Sequence, residues 1–92
     1  LETEATYRKR DWANHVIIAE KTVALPGIDQ GIQLTVLGQL TESYKNLHDE
    51  PALAKTARRW LELNDHTPGK EADDRQSQKD DYEALLKRLE EK

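Results

Sequence analysis

The amino-acid sequence predicts an all-α fold of antiparallel helical hairpins, closed by a charged C-terminal capping helix. Three observations lead there. Apolar residues fall at Leu37, Leu40, Tyr44 and Leu47, then again at Leu53, Ala57, Trp60 and Leu61. Spacings of three and four gather each set on one face of an α-helix. The break between them, His48-Asp49-Glu50-Pro51, is short and polar, so two amphipathic helices must fold back on each other. Hydrophobic residues make up 36% of the chain and charged residues 35%, which leaves much of the helix surface to water.

The first segment, Glu2 to Leu25, carries a stripe of Trp12, Val16, Ala19 and Val23, with Ala13, Ile17 and Ala24 beside it. The periodicity allows one long helix. It equally allows a break at Arg10-Asp11, with Asp11 capping a helix that starts at Trp12 and Thr3 or Thr6 capping an earlier turn. Pro26 to Gly31 punctuates the chain, because Pro ends the preceding helix and the glycines permit turn conformations. A second helix is expected from Ile32 to about Leu47.

The next helix begins around Asp49, whose carboxylate can cap free amides while Pro51 occupies the first turn, where a missing N–H costs nothing. It runs to Leu63 or Asn64 and is ended by the loop Asp65 to Gly69. From Lys70 to Lys92 the composition shifts to charge. Glu71 with Arg75, Glu83 with Lys87 and Lys87 with Glu91 are opposite charges four apart, each worth about 0.2–0.5 kcal/mol on an exposed helix. Only Ala72, Tyr82, Ala84, Leu85, Leu86 and Leu89 can bury anything. Residues Lys70 to Lys79 are therefore expected to be solvated or frayed, and Tyr82 to Leu89 to dock.

With 92 residues the chain makes one small domain, burying only about 60–65% of its unfolded surface. It has no Met, even at position 1, so it reads as a piece of something longer, with Leu1-Glu2 as a cloning remnant. Residues 1–31 then form a partial first unit, 32–65 a helical hairpin and 70–92 the capping helix.

Composition removes several function classes. No Cys means no disulfide framework, no thiolate nucleophile and no Cys-ligated zinc site. That leaves the compartment open, with the cytoplasm slightly favoured. No apolar run approaches the ~20 residues of a membrane span, so a soluble domain is expected. A net charge of −4 argues against nucleic acid, since the basic clusters Arg8-Lys9-Arg10 and Lys55, Arg58, Arg59 have acidic neighbours. His15, His48 and His66 have no second His three or four residues away, so no metal site is expected; surface or partly buried histidine is the simpler reading. Glu42, Asp49 and Glu50 read as caps and dipole partners instead of an acid–base pair. Neither Gly27 nor Gly31 begins a phosphate loop. Trp12 and Trp60, of a type enriched at interface hot spots, fall on apolar stripes and read as core first. No catalysis and no cofactor is expected.

Alternating helices with short turns invite a search for a repeat. Asp11 placed over Asp49, an offset of 38 residues, aligns Ala19 with Ala57 and Leu25 with Leu63. The segment Leu37 to Asn64, with its large apolar start, Leu40, Tyr44, Leu47, a turn, then Leu53, Ala57 and a Leu-Glu-Leu-Asn ending, resembles a tetratricopeptide repeat (TPR). Tyr44 followed nine residues later by the inter-helix packing residue Leu53 is the spacing that carries the likeness. Tyr7 to Pro26 looks like the tail of a preceding unit. Departures exist: Leu37 stands at the usual Trp, Thr41 at a small residue, His48 at the turn Gly, and Ala57 with Trp60 reverse the usual order of large and small. Asp65 replaces the Pro after the repeat, and the offset exceeds the common period of about 34 residues, placing extra length in Pro26 to Gly31. The resemblance implies a right-handed stack, with the last helix as its solvating cap.

It further implies a protein-interaction module that binds a peptide or helix of a partner on the surface lined by the first helix of each hairpin. Carried onto this chain, that surface comprises Thr35, Gln39, Glu42, Lys45 and Asn46, with Glu4, Tyr7 and Arg8 from the preceding unit. Gln39 and Asn46 suit contacts to a peptide backbone, and Tyr7 suits an apolar anchor. The alternative is a structural bundle that dimerises through the Tyr82 to Leu89 stripe or the exposed part of the first helix.

Overall fold

The computed structural model describes residues 7–66 and 75–90, which hold four α-helices. They are α1 (Trp12–Val23), α2 (Gln30–Asn46), α3 (Glu50–Asp65) and α4 (Gln76–Glu90). No strand occurs among the described residues. Thr3, Glu4, Thr6, Lys70, Glu71, Ala72 and Glu91 lie outside them.

Local chemistry sets most boundaries. Tyr7 and Arg8 have helical backbone, and Arg10 then adopts a positive φ of 57°, which breaks the chain before α1. Asp11 holds the N-cap position but its carboxylate accepts from the Asn14 side chain at 2.7 Å instead of from a backbone amide. Gly27, at φ 74°, turns the chain between α1 and α2, a conformation that costs glycine little. Asp29 then caps α2, accepting from the amides of Gly31 at 2.8 Å and Ile32 at 3.3 Å. That cap starts the helix at Gln30, two residues before the expected Ile32. Asp49 accepts from the Ala52 amide at 3.3 Å and Pro51 sits in the first turn of α3, as the local pattern predicts.

Packing runs in chain order, α1 on α2, α2 on α3 and α3 on α4. The core comprises Ala19 and Val23 of α1, Leu34, Val36, Leu37 and Leu40 of α2, and Trp60 of α3, with Val16, Tyr44, Leu61, Leu63 and Tyr82 packed against it. Leu53 and Ala57 are buried as well. Leu47, expected in this core, is 40% exposed. Its helix ends at Asn46, so Leu47 lies on the turn, past the face that α3 covers.

In its place α2 buries Thr41 and Ser43. Being wedged between α1 and α3 widens its covered face beyond one apolar stripe. The two hydroxyls remain satisfied by carbonyls four residues back, Leu37 at 2.8 Å and Gln39 at 3.0 Å. On α1 the buried line is His15, Ala19 and Val23, while Trp12 is half-buried and Ile17 exposed. His15 is therefore a fully buried residue, not the surface or partly buried histidine expected, because it occupies the i−4 position below Ala19 on the covered face.

Docking of α4 begins earlier than the expected Tyr82. The Arg75 guanidinium donates to the Asn64 side chain, Gln78 is half-buried, and Lys79 pairs with Asp65 at 4.0 Å and Glu83 at 3.9 Å. Polar anchoring to the end of α3 thus holds residues whose lack of apolar side chains predicts fraying.

Candidate functional site

Between α2 and α4 runs an open groove, created because α4 packs on α3 and stands off from α2. Two adjoining pockets form most of it. One, of about 510 Å³, lies among Tyr7, Thr35, Gln39, Arg75 and Trp60. The other, of about 460 Å³, lies among Thr41, Lys45, Asp81, Leu85 and Arg88. They share Gly38, Glu42, Gln78 and Tyr82. A third pocket, of about 240 Å³, extends the groove past Lys45, Leu85 and Arg88 to His48, Leu53 and Leu89. Residue numbers rise in the same direction along both walls, so α2 and α4 run parallel.

On α2, Gly31, Thr35, Gly38, Glu42 and Lys45 recur every three or four residues and make one wall. Gly38 sets the width at its centre. A Cβ there would stand 3.0 Å from Gln78 Nε2 and 3.4 Å from the Tyr82 hydroxyl, so the missing side chain lets these two approach the backbone of α2. Gln78 Nε2 donates to the Tyr82 hydroxyl at 2.9 Å. The Tyr82 ring meets Trp60 edge-on, with centroids 4.8 Å apart and planes at 79°, which seats α4 on α3. Burial raises the pKa of Tyr82, with the nearby carboxylates of Glu42 and Asp81 adding to the rise against hydrogen bonds with Gln78 and Thr41. This phenol stays neutral as a groove surface.

Tyr7 borders the first of these pockets. Its hydroxyl donates to Glu42 Oε2 at 3.0 Å, and its ring lies 5.8 Å from Trp12 at 71° and 5.5 Å from His15. Burial and then the Glu42 carboxylate raise its pKa. Beside it, Gln39 Oε1 is buried in the wall without a hydrogen-bond partner among the described residues. A buried amide oxygen left so is costly, and a turn of the Gln39 side chain into the groove would let it meet a donor there.

Of the predicted recognition residues, Tyr7, Thr35, Gln39, Glu42 and Lys45 line the groove. Thr35 is partly committed, its hydroxyl donating to the Gly31 carbonyl at 3.1 Å. Asn46 is not brought in; its amide donates to the Glu42 carbonyl at 2.8 Å within α2. Arg8 is exposed and does not line the pockets, and Glu4 lies outside the described residues. The opposite wall of Gln78, Asp81, Tyr82, Leu85 and Arg88 was not anticipated. Its signal was the spacing of three and four among these residues, but nothing in α4 alone says which helix it will face.

His48 and His66 lie on the turn after α2 and at the end of α3, apart from buried His15. No helix among the described residues is long and apolar enough to cross a membrane. No protein-family model, curated protein or solved structure matches this chain.

Proposed function

We propose that this chain is a protein-interaction module whose α2–α4 groove receives a segment of another polypeptide, without catalysis. The observation that carries the reading is Gln39: an acceptor left unmatched in a side chain that lines an open groove. A backbone N–H of a bound segment is the donor this position lacks. The groove sets charged and polar side chains beside the aromatic and aliphatic surfaces of Trp60, Tyr82 and Leu85, which suits modest affinity and salt sensitivity.

The finer architecture is read the same way: α2 and α3 form an antiparallel TPR-like hairpin, the segment through α1 is the end of a preceding unit, and α4 caps the stack. Support comes from the packing of each helix on the next and from His48, whose φ of 59° falls where the repeat family places its turn Gly.

A peptide library selected on the immobilised chain tests the function. Selected sequences should lose at least tenfold in affinity to Gln39→Ala, with its unfolding midpoint equal to the parent's or higher. Peptides indifferent to Gln39→Ala, or a chain that sediments as a dimer disrupted by Leu86→Ala, would replace the groove reading with tail-mediated assembly.

A further inference from the structure

The groove is polarised by charge along its length. On both walls an acid precedes a base, Glu42 before Lys45 on α2 and Asp81 before Arg88 on α4, and the two bases lie where the pocket around Asp81 meets the third one. Arg58, Arg59 and Lys79 are all held in ion pairs with Glu90, Glu20 and Asp65. Lys45, Arg88 and Asp81, in contrast, have no ion-pair partner among the described residues. Glu42 accepts only from the neutral Tyr7 hydroxyl and keeps its charge available.

We propose that the groove selects an extended segment carrying a basic and an acidic side chain two residues apart, with an apolar residue between them, and that the charge order fixes the direction in which the segment lies. The proposal rests on the groove reading above and names the chemistry of its occupant.

The spacing follows from helix geometry. Glu42 to Lys45 advances about 4.5 Å along α2 and Asp81 to Arg88 about 10.5 Å along α4, so along the groove the midpoint of the two acids and the midpoint of the two bases are about 7.5 Å apart. Two residues of extended chain cover about 6.6–6.8 Å. An extended segment is favoured over a helix because its backbone N–H groups are free, and Gln39 Oε1 requires a donor. Between acids and bases, Tyr82 and Leu85 offer the surface for the middle side chain.

The test uses four fluorescein-labelled nonapeptides with blocked ends, identical except for a central Lys-Leu-Glu, Lys-Leu-Lys, Glu-Leu-Glu or Gln-Leu-Gln, titrated by anisotropy at low and high salt. The Lys-Leu-Glu peptide should bind at least tenfold tighter than the other three and lose that margin at high salt. The K45E/R88E double variant should reverse the ranking in favour of Lys-Leu-Lys. No binding of the Lys-Leu-Glu peptide, equal binding of a same-sign peptide, or an unchanged ranking in the double variant overturns the proposal. Library-selected peptides that respond to Gln39→Ala but not to K45E/R88E would leave the groove standing and remove only its charge order; indifference to Gln39→Ala removes both.

Discussion

Glu20 of α1 accepts a hydrogen bond at 3.0 Å from the hydroxyl of Tyr44 on α2, 24 residues later in the chain. Its other oxygen takes the Arg59 guanidinium of α3 at 2.9 Å. One carboxylate thus ties three helices on the side of the stack away from the groove. Because the ion pair is partly exposed, most of its attraction is screened, and the shared geometry matters more than charge. Glu20→Ala is expected to cost about 1–2 kcal/mol. Combined with Tyr44→Phe in urea unfolding, it should show a coupling of about 0.5–1.5 kcal/mol; strict additivity would mean that the bond does not persist in solution.

Tyr44 also gives the fold an alkaline limit. Burial first, and then the Glu20 carboxylate as hydrogen-bond partner and charge, push its pKa up to about 12 from an ordinary value of 10.0. The folded state therefore favours the neutral phenol. That contribution is fully present below pH 10, and is lost as the pH rises through about 12, where a tyrosinate would face Glu20. The stability of the parent relative to Tyr44→Phe should fall between these values and be flat below pH 10. A flat difference throughout would contradict this placement of the ring.

Core position is tested by two leucines seven residues apart. Leu40 is fully buried and Leu47 is 40% exposed. Leu40→Ala should cost about 2–5 kcal/mol through lost transfer energy and an unfilled cavity. Leu47→Ala should cost less than about 1 kcal/mol, since much of its side chain is already in water. Equal losses in thermal or urea unfolding would restore Leu47 to the core.

His48 and Arg10 hold φ values of 59° and 57°. For L-residues this region costs roughly 1–2 kcal/mol, partly offset in a Gly variant by greater unfolded-chain entropy. His48→Gly and Arg10→Gly should each stabilise the domain by about 0.5–1 kcal/mol. A loss in either case would indicate that the side chain itself makes contacts worth more than the strain.

Gly38→Ala sets helix propensity against groove width. Alanine gains about 0.8–1 kcal/mol over glycine inside a helix. Its Cβ would displace the Gln78 amide, 3.0 Å away, from the Tyr82 hydroxyl. In the parent the two effects should nearly cancel. In a Gln78→Ala background, Gly38→Ala should recover most of the propensity gain, as measured by urea unfolding; no difference between backgrounds would place Gln78 elsewhere.

The local pattern determined the helices and most of their ends. Asp49 with Pro51 announces α3, and Asp11 marks one of the two readings allowed for the first segment, because caps and prolines act within a few residues of where they stand. The three-and-four spacing likewise located Leu40, Leu53, Ala57 and Trp60 as buried. Tertiary structure decided what spacing cannot carry. Thr41 and Ser43 are buried because α2 is covered over more than one stripe, with carbonyls within α2 satisfying the two hydroxyls, and His15 is buried on the line that α1 covers with Ala19 and Val23. Leu47 is released because its helix ends one residue earlier. The polar face of α2 was legible as a candidate surface, since Thr35, Gln39, Glu42 and Lys45 share it. That it became one wall of a groove depends on α4, which is seated by Tyr82 on Trp60 and admitted by the absent side chain at Gly38. Periodicity names the face a helix will use, but which helix meets that face depends on packing between residues distant in the chain.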